Sequence, residues 1–450
     1  MDILNITPID GRYNDKTRRL SNYFSEFGFM KYRVEVEIKY LIFLAKELEI
    51  EELVENKKKV LEIYNLFSVD DCLKIKEFEK TCNHDVKSVE YFIREQLNKL
   101  ELSKYNQYIH FGLTSQDINN TSITKSLKDY VEKEYKPIIN KIIASINEKS
   151  KFWGDIVMLS RTHGQPAVPS TLGKELRVFS YRLEKQVKIL ENVRYYGKFG
   201  GAVGNLNAHY LAFPDIGWEV RFEEFLRDDL NLIRERYTTQ IDNYENLSVV
   251  FDCIRRINTI LIDLNRDIWQ YISMEYLSQS FDNSEVGSST MPQKINPINF
   301  ENSEGNLMLA NTLFDFMSNK LPVSRLQRDL TDSTVLRNVG SAFGYVEIAY
   351  QNFLRGFGKI TPNFMVINND LNNNISILTE AIQIILRKEG IENSYEQVKN
   401  MFRGKSHITF DDFYRFIDDH DELSSDSKKL LLQLTPEKYI GNSKIFPNSF

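Results

Sequence analysis

Between Pro214 and Pro292 the chain contains no proline, and within that span Val250, Ile254, Ile257, Leu261, Leu264, Ile268 and Tyr271 recur at alternating steps of four and three. That spacing is the apolar seam of a long helix packed in a bundle or coiled coil. Ile260, Ile262 and Ile272 widen the stripe, so more than one neighbouring helix is needed to cover it. A second segment, 136–153, places Ile138, Ile139, Ile142, Ile143 and Ile146 on one helical face. A third, about 172–196, follows Pro169-Ser170-Thr171, with Ser170 or Thr171 as its cap. A fourth is expected at about 298–320, and strand signals are scarce.

Several long helices in mid-chain predict an all-α fold built on a central bundle. The first part of the chain reads as shorter helical pieces, such as Val34 to Leu48 and Val86 to Leu97. The stretch NNDLNNN at 368–374 marks the expected seam before a last helical region. Three helical domains are therefore expected, at 1–117, 118–367 and 368–450. The bundle is too long and apolar for one chain to cover, so copies of the chain should associate.

The totals narrow the function classes. Lys and Arg number 57 against 63 Asp and Glu, a net charge of −6, so there is no bulk polycation for nucleic acid. Cys72, Cys82 and Cys253 are few and lack metal-ligand spacing, which argues against a disulfide framework or a zinc site. The N-terminal residues are not expected to act as a signal peptide, and no apolar run is long enough for a standard membrane span. A reduced, cytoplasmic protein is expected.

Four polar stretches interrupt the helices: TCNHDVKSVEYF at 81–92, HFGLTSQDINNT at 110–121, LSRTHGQPAVPST at 159–171 and SEVGSSTMPQKINPINFENSEGN at 284–306. Loops on a rigid helical scaffold are where sites are commonly built. His84, His110 and His163 lie in these stretches and are the proton-exchange candidates, whereas His209, His407 and His420 read as structural. No GxSxG elbow, GxxxxGK[ST] loop or HExxH pair occurs. Ser288 and Ser289 are thus poor hydrolase nucleophiles. The GSSTMPQKINP segment reads instead as a loop whose backbone N–H groups hold an anion, with Lys294 adding charge and Asn296 a directional donor; a plain turn is the alternative. Downstream, Arg328, Ser333 and Arg337 suit a phosphate monoester if a bend near Asp329 to Ser333 brings the two arginines together. Gly11, Arg12 and Tyr13 form a further donor cluster, and ordinary surface pairing is the competing reading for both groups.

GSSTMPQKINP closely resembles the signature loop of the fumarase/aspartase superfamily. SRTHGQPAVPST, NHDVKSVEYF, TSQDINN and SRLQRDLTDSTVLRNVG together resemble its adenylosuccinate lyase family, from PIDGRY near the N-terminus to YIGNS near the C-terminus. The resemblance implies elimination of fumarate from adenylosuccinate and from the succinylcarboxamide ribotide SAICAR, with no cofactor or metal. It implies Ser288 as general base, His163 as general acid and His84 as a second histidine in the site. Lys294 and Asn296 would bind the succinyl carboxylates beside Thr114 and Ser115, and Gln240 would bind substrate. Arg12, Tyr13, Arg328, Ser333 and Arg337 would form the phosphate site, with Lys87, Gln116, Thr162, Ser289 and Met291 as further contacts. It also implies a homotetramer whose active sites each take loops from three subunits. The rivals are another fumarate-releasing lyase of the superfamily, such as argininosuccinate lyase or fumarase, and a catalytically silent helical oligomer. A fumarase substrate has no phosphate for Arg328 and Arg337.

Overall fold

The computed structural model describes residues 3–280, 291, 294–404 and 408–444. Among these the fold is all-α, with three two-stranded sheets. The elements that position the candidate site are α1 (Glu26–Glu47), α2 (Asp85–Lys99), α3 (Ser115–Tyr130), α4 (Lys136–Phe152), β1 (Val157–Thr162), β2 (Gln165–Thr171), α5 (Leu172–Glu191), β3 (Tyr196–Gly197), β4 (Ile233–Arg234), α6 (Glu245–Ser273), β5 (Leu277–Gln279), α7 (Ile298–Lys320), α8 (Thr331–Leu336), α9 (Val339–Lys359), β6 (Ile360–Pro362) and α10 (Phe364–Asn373). Four short helices follow, from Thr379 to Leu432. No helix among the described residues is long and apolar enough to cross a membrane.

The chain divides into two compact units: residues 1–140, 185–262 and 302–352, and residues 141–184, 263–301 and 353–450. Helices α4, α5, α6, α7 and α9 each contribute one stretch to either unit.

In the first unit, the N-terminal core joins Met30, Val34, Ile38 and Leu41 of α1 to Val89, Phe92, Ile93 and Leu97 of α2. The α6 seam residues Val250, Ile254, Ile257 and Leu261 have no solvent exposure. Burying each is worth about 1.5–3 kcal/mol, which is why the heptad-like spacing could be read from sequence. One polar layer crosses this apolar interior: Tyr350 donates to Asn258 at 2.8 Å, and Asn258 donates to Asn311 at 3.0 Å. Helices α3 and α4 run into each other through a π turn at Val131–Tyr135. Pro137 explains that turn: its ring would crowd the carbonyl four residues back, and the widened turn relieves the clash.

In the second unit, Leu264 and Ile268 of α6 are buried with Ile142, Ile143 and Ile146 of α4. A separate core gathers Leu159 of β1, Leu371 of α10 and the C-terminal helices through Phe402, Phe413 and Phe416. Thr171 caps α5, its Oγ1 accepting from the Lys174 N–H at 3.2 Å. That helix ends at Glu191, earlier than the expected 196, and the chain then pairs Tyr196 and Gly197 with Ile233 and Arg234 as β3 and β4 of the first unit. The 159–171 stretch, read from sequence as a loop, is largely the antiparallel hairpin β1–β2. The asparagine-rich 368–374 stretch lies mostly within α10.

Candidate active site

In the first unit, the N-termini of α2 and α3 meet. Asn83 takes a left-handed turn at φ 50°, and His84 follows in extended conformation as the cap of α2. His84 Nδ1 accepts from the Lys87 N–H at 3.1 Å, so in the neutral ring the proton sits on Nε2. That Nε2 faces the Ser115 hydroxyl at 3.4 Å. Asp85 accepts from Arg33 at 2.8 Å and from Arg337 at 3.4 Å, and Arg337 also pairs with Glu26 at 2.7 Å. Burial works to raise the Asp85 pKa, but Arg33, the Val86 N–H and Arg337 outweigh it and hold the carboxyl below its usual range. A small pocket is lined by Arg33, Asp85, Gln116, Asn119, Ser333 and Arg337.

Three of the expected phosphate-site and substrate groups touch one another. Arg328 donates to the Ser333 hydroxyl at 3.2 Å and to Gln240 Oε1 at 3.4 Å. Gln240 in turn donates to the Ala202 carbonyl at 3.1 Å. Arg337, the last of that set, ends α8 and turns to Glu26 and Asp85. Helix α8 itself is tied to α3: Asn120 donates to the Tyr244 hydroxyl at 2.5 Å, and Tyr244 donates to Asp332 at 2.8 Å. Lys87 is committed to Glu90 at 2.7 Å. Tyr13 accepts from Asn302 at 3.0 Å, with the exposed Arg12 guanidinium 5.8 Å from its ring centre.

Sequence reasoning missed the supports of this group. Asp117 is fully buried and accepts from the Thr114 N–H at 2.8 Å, Lys198 Nζ at 2.8 Å, the Gly200 N–H at 2.7 Å and the Gly201 N–H at 3.1 Å. It therefore pins the Thr114-Ser115-Gln116 turn to a segment some eighty residues away (|i−j| = 83 for Gly200). Gly112, at φ +69°, lies against the buried His209 ring, where an added Cβ would come within 2.6 Å of Cε1. His110 is bound to the buried Glu37 at 2.6 Å. Burial works to lower its pKa, but the Glu37 charge and hydrogen bond raise it above the ordinary value. In this unit Asn83, His110 and Tyr244 adopt positive φ without being glycine, a conformation uncommon for such residues.

In the second unit, His163 and Gly164 form the two-residue turn of the β1–β2 hairpin, at φ 53° and 75°, between the paired Thr162 and Gln165. Both positive angles make a turn that matches the strand twist. His163 and Thr162 are exposed. Lys294 and Met291 are also exposed, Asn296 is half-buried, and Pro297 leads into α7. Ser288, Ser289 and Gln293 lie outside the described residues, as does His407.

Sequence comparison places this geometry among known proteins. A family model described as "Lyase" matches residues 11–311, and one described as "Adenylosuccinate lyase C-terminal" matches residues 324–440. An adenylosuccinate lyase of Dictyostelium discoideum is 49% identical over 97% of this chain and 96% of its own. That of Vibrio cholerae serotype O1 is 46% identical and that of Escherichia coli strain K12 is 44% identical, each over 97% of this chain and 96% of its own. Among solved structures, 3-carboxy-cis,cis-muconate lactonizing enzyme from Pseudomonas putida matches with a TM-score of 0.76 at 18% identity, over 96% of this chain and 95% of that one. Fumarate lyase from Mesorhizobium sp. BNC1 matches with a TM-score of 0.73 at 17% identity, over 96% of both chains. Likeness at that level of identity shows the fold alone.

Proposed function

The chain belongs to the adenylosuccinate lyase family, and on that premise we propose that it releases fumarate from adenylosuccinate, leaving AMP, and from SAICAR, leaving the aminoimidazole carboxamide ribotide. The observation that carries this reading is identity of 43–49% to adenylosuccinate lyases, nearly all of it spread over 97% of the chain. The contact between Arg328, Ser333 and Gln240 supports a phosphorylated substrate over argininosuccinate or malate.

In the proposed reaction a base removes a proton from the carbon beside a succinyl carboxylate. The electron pair is held in that carboxylate as its aci form, then closes the fumarate double bond as the C–N bond breaks. An acid protonates the departing nitrogen. Ser288 is the base. Its alkoxide needs stabilisation by loop N–H groups and the Lys294 charge. His163 is the acid. His84, whose Nε2 faces Ser115, supports the substrate alongside Thr114. Lys294 and Asn296 hold the carboxylates. Arg328, Ser333 and Arg337 hold the phosphate with Arg12 and Tyr13, the phosphate displacing Glu26 from Arg337. Lys87, Gln116, Thr162, Gln240, Ser289 and Met291 complete the contacts.

The working form is a cytoplasmic homotetramer with sites shared among three subunits. Val249, Met308, Leu309 and Phe316 on α6 and α7 are about half exposed, an apolar surface that suits a covering copy.

Purified protein should consume adenylosuccinate in an ultraviolet assay and yield AMP and fumarate in equal amounts. Absence of both products would sink the proposal, and turnover of malate or argininosuccinate instead would favour the rival lyases. Ser288→Ala should nearly abolish turnover while substrate still binds; substantial turnover would move the base elsewhere.

A further inference from the structure

We propose that Asp370 of α10 is a positioning residue for His163, clamping the hairpin tip that carries it through Arg161 and Tyr276. The inference rests on His163 being the general acid.

The hairpin cannot hold its own tip. It is an isolated two-stranded sheet, a form with little independent stability. Its ladder slips between Leu159 and Arg161, where Leu159 faces Pro169 but Arg161 faces Pro166, so β2 carries one extra residue. Both of those β2 partners are prolines and supply no N–H to the ladder. Leu159, at the base, is anchored in the C-terminal core. Beyond it the hairpin borders open space: a cavity of about 1080 Å³ is lined by Ser160, Arg161, Thr162 and Gly164 together with Tyr276 and Asp370. Packing therefore does not fix the tip.

The Asp370 carboxylate supplies what packing does not. Its Oδ2 accepts from Arg161 at 2.5 Å and also from the Tyr276 hydroxyl. Its Oδ1 accepts from Asn374 at 3.1 Å. Both oxygens are thus directed. The helix beneath them is rigid, because the adjacent Leu371 is fully buried in the same core as Leu159. Tyr276 is itself buried and stacked on Tyr271, with ring centres 6.1 Å apart. Among the described residues, Arg161 makes the only side-chain ion pair or hydrogen bond of segment 160–165. Arg161 lies two residues before His163 in the same short hairpin tip, so a fixed Arg161 guanidinium limits how far the turn that carries the imidazole can move.

Proton transfer tolerates little misplacement: about 1 Å can cost roughly a hundredfold. Asp370→Asn should lower kcat about ten- to a hundredfold with KM changed less than about threefold. Arg161→Gln should match it, and the double variant should be no worse than either alone, because the two residues act as one clamp. Asp370→Glu, which restores the charge, should recover part of the loss, as a merely structural carboxylate need not. His163→Gln is the reference. If it abolishes turnover while Asp370→Asn keeps wild-type kcat, the clamp is overturned. If His163→Gln itself turns over normally, the general-acid reading fails instead. Should Asp370→Asn not fold, Arg161→Gln is read by the same kcat and KM split, and wild-type kcat in that variant would equally overturn the clamp.

Discussion

Asparagine in place of Asp117 keeps the side chain's shape and removes its charge, which separates two accounts of the turn at Thr114. The carboxylate and Lys198 are both fully buried, 2.8 Å apart, and three backbone N–H groups converge on the same two oxygens. An amide has one acceptor oxygen. Facing that oxygen toward Lys198 and Gly200 sets its NH2 group against the Thr114 N–H, donor against donor. Lys198 is then a buried cation without a counter-charge, held by the neutral amide oxygen and the Gly201 carbonyl at 2.6 Å. Breaking a buried ion pair from one side costs about 3–5 kcal/mol. Native-state hydrogen exchange at Thr114, Gly200 and Gly201 should therefore accelerate by roughly two to three and a half powers of ten. Burial already lowers the Lys198 pKa, against the opposing charge of Asp117. Removing Asp117 lowers it further, so the unfolded chain binds the extra proton and stability must rise with pH. The Asp117→Asn penalty should shrink as pH rises toward the unfolded lysine value of about 10.4. Lys198→Met leaves the carboxylate with its three N–H donors and should cost less, about 1–3 kcal/mol. Equal costs for the two variants would reduce Asp117 to an ordinary ion-pair partner, and unchanged exchange in Asp117→Asn would refute the argument that it anchors the turn.

His209 supplies an acid limit. Its Nε2 donates to Tyr40, which donates to the Phe111 carbonyl, and burial pushes its pKa down to about 4. With the folded value below the unfolded one, near 6.5, stability present above that pH is lost as pH falls toward 4, by roughly 3 kcal/mol. The stability-versus-pH slope in that window should flatten in His209→Gln, and an unchanged slope would place the proton elsewhere. Leu261→Ala in the fully buried α6 seam should cost about 2–5 kcal/mol in denaturant unfolding; a cost under 1 kcal/mol would mean the seam is not packed. Arg337→Ala should raise KM for adenylosuccinate roughly ten- to a hundredfold. It should leave a dephosphorylated analogue unaffected, and equal losses on both would count against phosphate binding.

Periodic burial made the bundle legible. The residues from Val250 to Ile268 are buried as their spacing requires, and the segments read at 136–153 and 298–320 end within a residue of the observed helices. The hairpin at 157–171 was not legible as strand because Pro166, Pro169 and an added residue break the alternation that signals one. Its turn was not read either, although two residues ending in glycine between Thr162 and Gln165 fit a hairpin connection. The β3–β4 pairing was beyond reach, since it joins residues 196 and 233 by backbone bonds that no local pattern encodes.

The candidate site divides along the same line, and for a physical reason. His84 caps α2, Thr114 precedes α3, Ser333 sits in α8 and His163 tips the hairpin. At the ends of elements, side chains are free of the core and backbone N–H groups lack partners, so polar residues concentrate there and stand out against the apolar period. Their supports obey the opposite rule. Asp117, Tyr244 and Asp332 are buried, and Asp370 is mostly so; three of the four lie inside helices. Each earns its place through a partner 81 to 209 residues away. In sequence such a residue looks like an ordinary polar position on a helix. Reactive groups can thus be read from one stretch of chain, whereas the groups that aim them become visible only once the chain is folded. Variants at Asp117 and Asp370 test that division directly, because both leave every reactive side chain in place.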